Sequence, residues 1–126
     1  MSTALLFAWS SPTSPEVDAE FNRWYEEVHA PQVKDAVGAE VTVTRYRFED
    51  PAVDGQPPVP KYLAVYEISD TDVTTAHSAL MAAFKGGRFD MSSTIDRSAA
   101  RMEWYSPHAG SAPEDAPAQP ISTKGL

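Results

Sequence analysis

Large and small apolar residues alternate almost from the first position. In TALLFAW, residues 3–9, Leu5, Phe7 and Trp9 interleave with Ala4, Leu6 and Ala8. Successive strand side chains point to opposite faces, so apolar residues on both parities predict a strand covered on both sides. The period then lengthens. TSPE at 13–16 offers Ser14 as N-cap with Pro15 at the first helical position, or Thr13 as cap with Glu16 closing a capping box. Val17, Phe21, Trp24 and Val28 follow at helical spacing. Pro31 disfavours helical geometry at the residue before it, which predicts that the regular helix ends or kinks beside His29. PQVKDAVGA then continues as a turn or short helix until Gly38 stops it.

EVTVTRYRF, residues 40–48, is rich in β-branched and aromatic residues, but its apolar parity switches between Val43 and Tyr46, which predicts a bulge or two covered faces. A polar connection with proline and glycine leads to a third strand, KYLAVYEI at 61–68. The next helix carries the stripe Val73, Ala76, His77, Leu80, Met81 and Phe84 and stops at Gly86 and Gly87. RFDMSSTIDRS has no clear period, and AARMEWYS reads as a last strand with Ala100, Met102 and Trp104 on one side.

The order strand, helix, strand, strand, helix, strand predicts an α+β domain of the ferredoxin-like βαββαβ type over residues 1–107. Its sheet is four-stranded and antiparallel, with both helices on one face. Large residues on both strand parities leave the other face apolar, and no element remains to cover it. A second copy of the sheet is the expected cover, giving a homodimer. Residues 108–126 hold almost no large apolar side chain and are expected to be a disordered tail.

Charge narrows the partners. Lys and Arg number 10 against 18 Asp and Glu, a formal charge of −8 that repels phosphate backbones and anionic lipid, so no nucleic acid and no membrane surface is expected. No run reaches the roughly 18 apolar residues of a membrane span, and the start of the chain has no basic segment ahead of its short apolar run, which predicts a cytoplasmic protein. Cysteine is absent, which removes disulfides and thiolate zinc sites. Phosphate-binding glycine loops and HExxH spacing do not occur. No cofactor or metal is therefore expected. The chemistry left is what an imidazole, a phenol and a dry pocket can do unaided on a small molecule.

The element order and FNRWYEEVHAP, residues 21–31, resemble the dimeric α/β-barrel superfamily, and within it the EthD-like proteins, whose first helix carries a related aromatic and His-x-Pro pattern. The resemblance implies a dimeric barrel and carries over Phe21, Trp24, Tyr25, His29 and Pro31. It implies no single reaction, because relatives include cofactor-free monooxygenases, cyclases, isomerases and haem proteins. Haem-binding relatives supply an axial histidine from later in the chain, for which His77 is a weak candidate, and haem is not expected.

His29 is the candidate general acid or base, with Tyr25 four residues earlier as its catalytic partner. Trp24, Asn22, Tyr46, Tyr66 and Trp104 are the candidate substrate-binding residues, aromatic surface with an amide to orient a ring. Arg45 and Arg47 could meet a carboxylate or an enolate, the simpler use of each being a salt bridge. His77, inside an apolar stripe, is expected in the core. The expectation is a cofactor-independent lyase or isomerase, of dehydratase or cyclase type, acting on a hydrophobic oxygenated cyclic compound. The alternatives are a non-catalytic binder of such a compound and a cofactor-free monooxygenase.

Overall fold

A computed structural model describes residues 2–52 and 58–108. Strands β1 (Thr3–Ser10), β2 (Val41–Arg47), β3 (Tyr62–Ser69) and β4 (Arg101–Tyr105) form one sheet in the order β2-β3-β1-β4, with every neighbouring pair antiparallel. Helices α1 (Asp18–Trp24), α2 (Ala30–Val37) and α3 (Val73–Lys85) complete the α+β, ferredoxin-like architecture. The tail expected over residues 108–126 lies outside the described residues from 109 onward.

The helical hydrogen bonding does not stop between α1 and α2. It passes through one π turn, Tyr25–His29, in which the Ala30 N–H bonds to the carbonyl of Tyr25 five residues back. Pro31 is the cause. It has no N–H for the carbonyl four residues earlier, and its ring crowds that carbonyl. One extra residue in the turn relieves the conflict and lets the helix run on to Gly38. Gly38 has a φ of 65°, the left-handed conformation that commonly closes a helix.

β2 holds no bulge. Its pairing with β3 runs unbroken from Val41 opposite Ile68 to Arg47 opposite Tyr62. The change of apolar parity instead marks Arg45 as an inward residue, on the same side as Val41 and Val43, and Tyr46 as an outward one that is 53% exposed. His77 is exposed as well and meets the Trp104 ring edge-on, with centroids 5.9 Å apart, so it is not the core residue its stripe suggested.

The core lies between the sheet and the helices. Ala4 and Leu6 of β1 and Ala64, Tyr66 and Ile68 of β3 face Phe21, Tyr25, Val33, Ala76 and Leu80. The segment after α3 returns to β1, where Thr13 N–H donates to the Thr94 carbonyl at 2.8 Å and Asp96 N–H to the Ser11 carbonyl at 2.9 Å. The opposite sheet face carries no element among the described residues.

Candidate functional site

One row across the helix-covered side of the sheet reads Arg45, Ala64, Ala8, Met102. Adjacent strands lie about 4.8 Å apart, so the ends of the row are about 14 Å from each other with only two methyl groups between. That gap is where the aromatic side chains of the first helix descend. In the neighbouring row, Val43, Tyr66, Leu6 and Trp104 fill the space from the sheet side.

Tyr25 enters the gap fully buried and its hydroxyl lies 2.9 Å from that of Tyr66. Burial raises the pKa of both phenols, so both stay protonated at physiological pH. His29 follows in the same turn. It stacks on Trp24 at 4.8 Å, meets Tyr25 edge-on at 4.9 Å and lies 5.7 Å from Phe89. Its Nδ1 is buried with no protein partner among the described residues. Desolvation, aided by the positive field of Arg45, lowers its pKa to about 4, so the ring is neutral at pH 7.

His29 and Tyr25 line a cavity of about 230 Å3 with Ala8 and Ser10 at its floor and Phe84, Met91 and Met102 around it. Those last three are 38–42% exposed, giving an apolar mouth. Part of the wall is strapped on: the Trp24 indole N–H donates to the Asp90 carbonyl at 2.7 Å, and Gln32 makes two bonds to Asp90, one to its carboxylate at 2.9 Å and one from its backbone N–H at 2.8 Å. Arg88 and Asp35 add an ion pair at 2.9 Å. The result is a small, mostly apolar chamber whose lining includes one neutral imidazole and one phenol, together with Ser10 and Arg101.

The expected site residues separate into groups. His29, Tyr25, Trp24 and Tyr66 form one contiguous set. Asn22 turns to a different cluster, where its amide donates to Tyr62 at 3.1 Å and to the Asp18 carboxylate at 3.2 Å. Trp104 packs against His77 in the row beside the cavity. Tyr46 is on the opposite face of the sheet and shares no cavity with His29, because β2 pairs without the bulge that would have turned it. Phe84, Met91 and Met102 were not anticipated. They come from three separate stretches, and Met91 lies in the one that gave no periodic signal.

Among the described residues no three His, Cys, Asp or Glu side chains converge as metal ligands, and no helix is long and apolar enough to cross a membrane. Residues 14–85 match the family model of the EthD domain. The chain belongs to the EthD family. The crystal structure of an ethyl tert-butyl ether D (EthD) family protein from Bacillus halodurans C-125 aligns with 86% of this EthD protein and 100% of its own chain, at a TM-score of 0.50 and 17% identity, a likeness of fold. A search of curated proteins gives no match.

Proposed function

We propose that this EthD protein is a cofactor-independent lyase or isomerase acting on a small, hydrophobic, oxygenated ring compound, with His29 as the base. What carries the reading is a neutral imidazole with an unpartnered buried nitrogen, facing an apolar cavity beside a protonated phenol. A carbonyl compound seated there would lose a proton from its α carbon to His29. Tyr25, backed by Tyr66, would donate a hydrogen bond to the carbonyl oxygen as charge gathers on it. Return of the proton at another carbon is an isomerisation; expulsion of a β-hydroxyl that takes the proton with it is a dehydration. The size of the cavity favours one or two rings over a drug-sized ligand.

One observation favours the non-catalytic reading. A ring with a pKa of about 4 is a weak base at pH 7 and a good hydrogen-bond acceptor, which suits a carrier of the same compounds. Exchange in D2O separates the two. With 2-tetralone, a neutral bicyclic ketone, the wild type is expected to exchange the α protons well above the buffer rate, and His29→Gln to lower that rate about a hundredfold. Quenching of tryptophan fluorescence without exchange would leave a binder, and unchanged exchange in His29→Gln would remove the base.

A further inference from the structure

Arg45 lies on the inward side of an edge strand, and its side chain is only 15% exposed. Its guanidinium carbon sits 4.3 Å from the ring centre of Tyr25 and 4.9 Å from that of Tyr62, so the two phenol rings hold the cation by cation–π attraction. Nη1 reaches the Glu26 carboxylate at 3.2 Å, but Glu26 is 65% exposed and the pair is screened by water. Nε and Nη2 remain. Both are buried, and neither has a protein partner among the described residues.

Those two atoms are not arbitrary. Nε–H and Nη2–H form one edge of the guanidinium plane, two parallel donors spaced to meet both oxygens of a carboxylate. Ring contacts leave such an edge unused, because they attract the cation without accepting its hydrogens. A desolvated cation with an idle donor edge is costly to keep, and buried polar groups are satisfied in nearly every native structure. A second orphan sits in the same aromatic cluster. Asn22 donates to the Tyr62 hydroxyl, while its own Oδ1 is buried without a partner.

We propose that the Nε–Nη2 edge of Arg45, clamped between Tyr25 and Tyr62, binds the carboxylate of a small organic acid. The site is distinct from the His29 cavity, which Arg45 does not line, and the two share the Tyr25 ring. Unlike the ketone proposed for His29, the ligand here is recognised by its charge and its planar pair of oxygens.

Arginine Nε–H resonances in 15N-labelled protein report on this edge directly. Titration with benzoate is expected to shift the Arg45 Nε–H signal saturably, and benzamide, of the same shape without the charge, to leave it in place. Arg45→Lys keeps the charge and loses the paired donors, so benzoate affinity read by ligand-observed NMR should fall at least about tenfold. The wild-type titration stands on its own if that variant does not fold. His29→Gln should respond to benzoate as the wild type does, so loss of ketone chemistry and loss of acid binding are separate results. An unmoved Arg45 Nε–H signal, an equal response to inorganic phosphate, or undiminished benzoate binding in Arg45→Lys would each overturn the assignment.

Discussion

His29 shows how a single side chain can couple the pocket to the stability of the whole chain. Its pKa of about 4 lies below the ordinary 6.5, so between those values the unfolded chain binds the proton and the folded one does not. Stability contributed by the neutral ring is therefore complete above about pH 6.5 and is lost as the pH falls toward 4. The full effect of that interval is about 3 kcal/mol, an upper figure for a half-buried ring. Urea unfolding at pH 7 and pH 4.5 should show the wild type losing more stability than His29→Gln, the difference removing the carboxylates common to both. Equal losses would place the ring in water. At this scale a motif singled out His29 and Tyr25, and the structure brings both to one cavity. Arg45 was harder to place, because a charged residue on an inward parity looks like noise in a hydrophobic pattern.

At the scale of elements, order and type followed from periodicity, and the errors came where one residue shifted the phase. The buried positions of the first helical stretch are Phe21, Tyr25, Ala30 and Val33, not the evenly spaced stripe through Trp24 and Val28. The π turn inserts one residue, so the stripe before it and the stripe after it belong to different frames. Reading one frame through both left Tyr25 outside the apolar stripe, whereas it is in the core. The same stretch ends on Gly38, whose position has open space for a methyl group and whose φ of 65° does not suit one. Gly38→Ala should therefore cost about 1 kcal/mol from backbone strain alone, visible as a lower denaturation midpoint with an unchanged slope. A variant as stable as the wild type would mean the helix can close in another way.

For the molecule as a whole, the open side of the sheet is the feature that calls for a partner. Tyr46, Leu63 and Trp9 form one row across it and Thr44, Val65 and Phe7 the next, with Phe7 also 5.0 Å from the Tyr105 ring. Covering apolar surface is worth about 25 cal/mol per Å2, and a second copy presenting the same face offers a self-complementary cover. Sedimentation at micromolar concentration is expected to give a dimer, and Tyr46→Glu to shift it toward monomer while the helix content is kept. A monomeric wild type would leave this face for some other partner. The cavity, by contrast, was illegible from sequence at this scale, since its mouth joins the end of α3, the aperiodic stretch after it and β4. Only the two-alanine gap under Tyr25, made by strands paired in register, brings them together.

The strap from Arg88 to Met91 has a kinetic meaning. Its contacts with Gln32, Trp24 and Asp35 are at the surface, where water replaces a hydrogen bond or an ion pair at small cost. It leaves α3 through Gly86 and Gly87, where the N–H groups of Gly86, Gly87 and Arg88 bond back to the carbonyls of Ala82, Phe84 and Ala83 and anchor its near end. Its apolar members, Phe89 and Met91, are the parts that touch the stacked rings and the chamber. On the function proposed for His29, a guest's residence time would follow how often those few polar contacts let go, and its affinity the rings beneath, so the two would be governed by different residues.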